Sequence, residues 1–219
     1  ENANWTFNKN KVKENNLSSI ASLISNEVFK LTPIIHNELV VRDRLSSMSM
    51  SGASNLLNRV FNNSDLKNLG MEGNPSEFGI YLSLIKSNNL HIKKGDEFVI
   101  SIESTNNKSI KTIYDEFLKL IKGSKEAVNV SDIYAHFVKQ PYGIKIGLMP
   151  ILIGIFFKAT EASCAFYNKD EQGRESLITE FDQKIAERLY HMPETLKIMF
   201  VKIEGEKQII LDEFKSYVE

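Results

Sequence analysis

The segment KQPYGIKIGLMPILIGIFF, residues 139–157, is the most apolar stretch of this chain, yet it contains three glycines and two prolines. A helix that spans a bilayer needs about 20 consecutive apolar residues, whereas the uninterrupted run here covers only 148–157 and is flanked by lysines. A helix that is apolar on nearly every side must instead be enclosed by other elements of a globular domain. We therefore predict a buried core helix over about 147–159, with Pro150 tolerated in its first turn.

The charges of the chain are balanced, since 27 basic and 28 acidic side chains leave a net charge of -1. Any contact with nucleic acid must therefore be local. Cys164 is the only cysteine, which excludes an intramolecular disulfide and a multi-cysteine zinc site and fits a reducing cytoplasm. The chain begins with Glu1 and lacks a basic-then-apolar leader, so we expect an excised piece of a longer cytoplasmic protein with no membrane partner.

Periodicity and composition divide the chain into three parts. Residues 1–16 are polar and predict an N-terminal arm that Trp5 anchors on the domain. Residues 17–108 have the patterns of a helical subdomain with a short strand, and residues 109–219 those of a winged-helix-like subdomain. The predicted fold class is mainly α with a small β component, α+β, in which a helical N-terminal half precedes a winged helix-turn-helix-like unit.

The helical subdomain has three predicted helices. The first starts at Leu17 and stops at Thr32-Pro33, and the second buries Leu56, Leu57, Val60 and Phe61. Ser76 opens the third, and a short strand follows over 98–102.

The second subdomain begins with a helix over 110–123, continues with a helix capped by Ser131, and then reaches the apolar helix. The strands SCAFYN and ESLIT form a hairpin around the turn KDEQGR. Thr179 caps a fourth helix, and LKIMFVKI is a further strand. Three helices followed by a hairpin is the order of a winged helix-turn-helix.

The ends of the apolar helix are the first candidate site, because no acidic residue occurs between Asp132 and Glu161. Phosphate oxygens favour such a locally basic region, but an aliphatic helix offers no side chain that reads base edges. We therefore expect nonspecific contact with the DNA backbone, or protein docking. The candidate nucleic-acid-binding residues are Lys139, Tyr142, Lys145 and Lys158 at the helix ends, with Lys169 and Arg174 on the hairpin. On the hairpin, Asp170 and Glu171 would repel phosphate.

Known catalytic and metal-binding motifs are missing from the sequence. There is no P-loop, HExxH, CxxC or G-x-S-x-G pattern, and the four histidines lack the spacing of metal ligands. We expect neither a cofactor nor a metal.

A polar cluster in two turn-rich segments is the second candidate site. Its members are Asn37, Glu38, Arg42, Arg44, Glu72 and Glu77. They predict an internal network of paired charges that pins these loops. Two alternatives remain open: a docking surface for a neighbouring domain, and a catalytic carboxylate pair.

Three stretches, LTPIIHNELVVRDRLS, NLGMEGNPSEFGIYLSLI and IYAHFVKQPYGIKIGLMPILIGIFF followed by CAFYN, resemble a region of very large bacterial P-loop ATPases of defence and restriction-type loci, of the BREX and phage-growth-limitation kind. The resemblance spans about residues 30–200. It rests on the Asn-Glu-Leu and Arg-Leu-Ser of the first stretch, the Leu-Gly-Met-Glu-Gly loop and Pro-x-Glu of the second, and the Pro-Tyr-Gly-Ile-Lys turn of the third. Gln140 departs from the family's proline, and the hairpin is longer and more acidic.

The resemblance implies that the ATPase machinery lies outside this piece. Our leading hypothesis is a non-catalytic winged-helix module that couples a parent ATPase to DNA or to partner proteins. The alternatives are a purely structural scaffold for protein interaction, and a small enzyme that uses Glu38, Glu72 or Glu77 with an arginine.

Overall fold

A computed structural model describes residues 6–7, 10–11 and 16–201 of the chain. Trp5 and the last residues of the segment LKIMFVKI lie outside the described residues. The helices are α1 (Leu17–Val28), α2 (Ser47–Asn62), α3 (Phe78–Ile80), α4 (Lys108–Gly123), α5 (Val130–Val138), α6 (Met149–Thr160) and α7 (Gln183–His191). The strands are β1 (Thr6–Phe7), β2 (Asn10–Lys11), β3 (His91–Lys94), β4 (Glu97–Ile100), β5 (Val128–Asn129), β6 (Cys164–Lys169), β7 (Glu175–Leu177) and β8 (Leu196–Phe200).

These elements confirm the α+β class. The strands form three antiparallel sheets: β1 pairs with β2, β3 pairs with β4, and a four-stranded sheet has the order β5-β8-β6-β7. In the larger sheet the fully buried Ile198 lies opposite Val128 on one side and Phe166 on the other. The strand β8 therefore joins the part of the chain before α5 to the part after α6.

The helix α6 confirms the prediction of a buried core helix. All residues from Met149 to Phe157 are buried, and Pro150 lies in the first turn, where its missing N–H costs no helical hydrogen bond. The helices α2 and α7 and the strand β4 pack against α6. In the part of the chain that the structure describes, no helix is both long and apolar enough to cross a membrane.

One continuous hydrophobic core runs through the described residues from Ile35 to Ile198. The helix α2, which belongs to the first predicted subdomain, supplies much of the cover for α6 and α7, which belong to the second. Residues on both sides of position 108 therefore share one core. The division at 108/109 stays a prediction.

Two helices begin at other residues than predicted because another side chain makes the capping hydrogen bond, and one helix ends earlier than predicted. Asn129 rather than Ser131 caps α5, since its Oδ1 accepts a hydrogen bond of 2.9 Å from the Ser131 N–H. Asp182 rather than Thr179 caps α7, accepting 2.9 Å from the Ile185 N–H. The first helix ends at Val28, four residues before the Thr-Pro stop.

Besides β1 and β2, three elements of the described residues after position 16 were not predicted from the sequence. The strand β3 precedes the predicted strand and pairs with it as a hairpin. The two-residue strand β5 has no pattern of its own and is defined only by its pairing with β8. After α3 the chain continues as a π-helical turn, Tyr81–Lys86, a form often found at functional sites.

The hairpin of β3 and β4 is attached through a buried histidine. His91 Nε2 lies 2.9 Å from the Ser64 carbonyl oxygen, and His91 Nδ1 lies 3.1 Å from the Tyr81 hydroxyl. The carbonyl can only accept, so Nε2 carries the proton and Nδ1 accepts from Tyr81. Burial lowers the pKa of His91, so this residue is neutral and connects the hairpin to Ser64 and Tyr81 by hydrogen bonds.

Candidate functional site

The turn before α6 is fixed against the loop that follows α1. The Thr32 hydroxyl donates to the Tyr142 carbonyl oxygen, and the Gly147 N–H donates to the Arg42 carbonyl oxygen at 2.8 Å. Gly147 is buried where an added Cβ would lie 2.7 Å from that same oxygen. The first candidate site therefore lies directly beside the second.

Three of the predicted nucleic-acid contacts are neutralised by acidic neighbours. Lys145 pairs with Asp43 at 2.8 Å, and Lys158 pairs with Glu161 at 2.8 Å. Arg174 pairs with Asp170 at 2.8 Å, and hydrogen bonds led by the Arg174 backbone N–H hold the pKa of that carboxyl below its ordinary range. Each of these cations therefore brings a carboxylate with it toward any phosphate.

Tyr142 differs from the predicted exposed position. Its side chain is buried, and its ring packs against those of His136 and Phe137, with centroids 5.3 and 5.0 Å away. Burial also raises the pKa of its hydroxyl. The ring is therefore not presented on the surface, because α5 covers it, and a contact of Tyr142 with nucleic acid stays a prediction.

The predicted cations are also spread over the surface. Lys145 precedes α6 and Lys158 lies in its last turn, so the length of that helix, about 18 Å for its 12 residues, separates them. Lys139 and Lys169 are exposed on two other segments. These residues do not form one basic patch around the end of a helix.

The second candidate site contains one buried ion pair and several exposed residues. Glu77 is buried, and its Oε1 accepts 2.9 Å from Arg59 Nε. Burial alone would raise the pKa of Glu77, but hydrogen bonds from its own backbone N–H, from Arg59 and from Ser76 outweigh it and lower the pKa. Arg59, on α2, is the partner that the sequence did not indicate.

The other members of the polar cluster lie on the surface. Asn37 donates to the Ser83 hydroxyl at 2.7 Å, which ties the loop to the π-helical turn. Glu38 and Arg42 are 4.0 Å apart and line a depression of about 550 Å³. Arg44 and Glu72 are exposed. The lining of that depression includes neither Glu72 nor Glu77, so the three glutamates that were candidates for catalysis do not converge there.

A third charged surface was not singled out from the sequence. On α4, Lys108, Lys111, Lys119 and Lys122 are all exposed, while Ile110, Ile113, Phe117 and Ile121 on the same helix are buried. The signal was present as lysines at helical spacing. The helix α4 lies outside the segment between Asp132 and Glu161 that lacks acidic residues.

Comparison with known proteins gave no match: no family model, no curated protein and no solved structure is similar to this chain. Within the described residues, no three His, Cys, Asp or Glu side chains are grouped so that they could hold a metal ion.

Proposed function

We propose that this chain is a non-catalytic, winged-helix module of a larger P-loop ATPase of the defence type, and that it holds duplex DNA through its phosphates without reading sequence. The proposal combines the element order, the burial of α6 and the resemblance described above.

The strand order of the four-stranded sheet carries the proposal. A short strand after the first helix, β5, pairs with the returning strand β8, which in turn pairs with β6. The helix α4 precedes β5, and α5 and α6 lie between β5 and β6; this order supports the assignment to a winged helix. On this assignment β6 and β8 form the wing, and β7 and α7 are an insertion within it.

The burial of α6 supports binding without sequence readout. In winged helices that read DNA, the third helix enters the major groove and presents polar side chains to base edges. Here α6 is enclosed from Met149 to Phe157. Contact through the phosphate backbone is then the mode that remains, and this contact is independent of base sequence.

A titration with labelled duplex DNA tests this proposal. Two duplexes of equal length and unrelated sequence should bind with the same affinity, and the logarithm of the association constant should fall linearly with the logarithm of the salt concentration, because phosphate contacts release counterions. Fluorescence anisotropy measures both. Absence of binding at about 50 mM salt, or a strong preference for one duplex, would contradict it.

A second function, docking onto another domain of the parent ATPase, is favoured by exposed apolar side chains. Ile34, Leu39 and Met48 are 75%, 49% and 79% exposed, and they lie on or next to the loop that lines the depression with Glu38 and Arg42. Docking would bury such side chains. Hydrogen exchange in the isolated chain and in the full parent protein should then show protection of residues 34–48 only in the parent, and equal exchange in both would rule docking there out.

A further inference from the structure

We propose that the exposed face of α4 is the surface that contacts DNA phosphates. We call it the lysine face and define it by Lys108, Lys111, Lys119 and Lys122. The inference rests on the proposed function, because it names the surface through which the module would hold DNA.

Helical geometry places the four lysines together. Residues of an α-helix are separated by 100°, so positions 108, 111, 119 and 122 fall within one sector. The opposite sector, with Ile110, Ile113, Phe117 and Ile121, packs into the core. From Lys108 to Lys122 the face is about 21 Å long, which corresponds to about six base-pair steps along a DNA strand.

Most of this positive charge is available for binding. Lys119 pairs with Glu116 at 3.2 Å, whereas Lys108, Lys111 and Lys122 make no ion pair with any residue that the structure describes. Lys122 Nζ lies 4.8 Å from the centroid of the Phe200 ring. Asp115 is the one acidic residue of α4 in the same exposed sector, and the exposed Glu103 lines a surface pocket together with Lys111 and Asp115. Glu116 lies at the edge of the sector, half-buried, 3.5 Å from His136.

The composition of the face favours a polyanion over a protein partner. A stable protein interface has an apolar or aromatic centre surrounded by a polar rim. The exposed residues along this sector are the four lysines, Thr112 and Asp115, with no apolar side chain among them. Long, flexible lysine side chains spaced along about 21 Å match the phosphates of a DNA backbone.

A charge-matched pair of variants tests the location. The first variant changes the lysine face, K108Q/K111Q/K119Q/K122Q; the second changes four exposed lysines elsewhere that are not candidate DNA contacts, K30Q/K67Q/K94Q/K184Q. Both lose the same net charge, and glutamine keeps the helix propensity of lysine. Thermal unfolding followed by circular dichroism verifies that both remain folded.

The expected result is a difference in salt dependence. Four phosphate contacts give a slope of about -3.6 in a plot of log association constant against log salt, so the affinity of the wild type should fall by about 100-fold between about 50 and 200 mM salt. The lysine-face variant should lose most of this slope. The second variant should keep a slope within about 1 of the wild type.

Asp115→Asn provides the opposite test, since it removes the carboxylate in the middle of the face. Binding at about 50 mM salt should become about threefold tighter, a gain that misfolding cannot produce. If the wild type binds DNA but the two quadruple variants lose slope equally, or Asp115→Asn leaves the affinity unchanged, the lysine face is not the site. If the wild type does not bind DNA, the proposed DNA-binding function itself is wrong.

Discussion

Gly147→Ala is expected to lower the free energy of unfolding by about 3 kcal/mol, the upper part of the range for overpacking a core. The added Cβ would lie 2.7 Å from the Arg42 carbonyl oxygen and 2.8 Å from that of Val40, and it would also collide with the Leu45 side chain. Two of these three obstacles are backbone atoms, which cannot rotate away. Any shift that relieves them must also stretch the 2.8 Å hydrogen bond from the Gly147 N–H to Arg42.

Denaturant titration of the variant measures this loss, and Gly79→Ala is its control. Gly79 is exposed at the start of a helical segment, and nothing lies within 4 Å of an added Cβ. Alanine there should leave stability unchanged or raise it by up to about 1 kcal/mol, because glycine is a poor helix former. If Gly147→Ala is as stable as this control, the loop after α1 can move away from the added Cβ with little loss of unfolding free energy.

The prediction of α6 succeeded because its signal is local. The run of apolar residues, the proline in the first turn and the flanking lysines are all read within one segment, and they specify both a helix and its burial. The periodic helices α2 and α4 were predictable for the same reason: their buried positions repeat at 3.6-residue spacing.

The charges around α6 could not be read in the same way, because their partners are distant in sequence. Lys145 follows a segment without acidic residues, yet it pairs with Asp43, 102 positions earlier. Tyr142 follows a proline in a polar-looking turn, but α5 and the loop after α1 cover its ring and its carbonyl group. A gap in acidic residues along the sequence is therefore not a basic patch on the surface.

The strand β5 could not be predicted because it is too short to show a pattern. Two residues, Val128 and Asn129, carry no alternation that distinguishes a strand from a loop, and they become a strand only where β8 reaches them with Ile198 and Lys197. The predicted hairpin of β6 and β7 does pair, whereas no pattern in the sequence indicated that β8 lies between β5 and β6.

The close approach of α2 to α6 links the two halves of the chain. Gly154, in the middle of α6, leaves room for the Leu57 side chain of α2, where an added Cβ would collide. Leu57 is fully buried, so the packing of α2 against α6 depends on glycine, which has no side chain, at position 154. A helix used in this way as an internal support cannot also enter a DNA groove, and for this reason the proposed DNA contact lies on α4 rather than on α6.

The buried pair of Arg59 and Glu77 leads to the second prediction of large effect. Arg59→Leu should lower the free energy of unfolding by about 3 kcal/mol, since it leaves a carboxylate buried without its guanidinium partner. The Glu77 side chain is 5% exposed and that of Arg59 is 33% exposed. Glu77→Gln should therefore cost only about 1 kcal/mol, because the arginine can turn toward water. Replacing both residues by leucine should restore stability to within about 1 kcal/mol of the wild type.

The pH dependence separates this ionic effect from a simple loss of packing. In the wild type the pKa of Glu77 lies below its ordinary value of 4.5, so the carboxylate stabilises the fold above about pH 4.5 and this stability is lost as the pH falls through the lowered pKa. In Arg59→Leu, burial is opposed by fewer hydrogen bonds, so the carboxyl binds a proton more readily and the variant regains stability as it becomes neutral. The difference in unfolding free energy between wild type and Arg59→Leu should thus shrink as the pH is lowered below about 5. A difference that stays constant down to the acid transition would assign the loss to packing of the arginine stem, and the ion pair would then have no part in fixing α2 against α3.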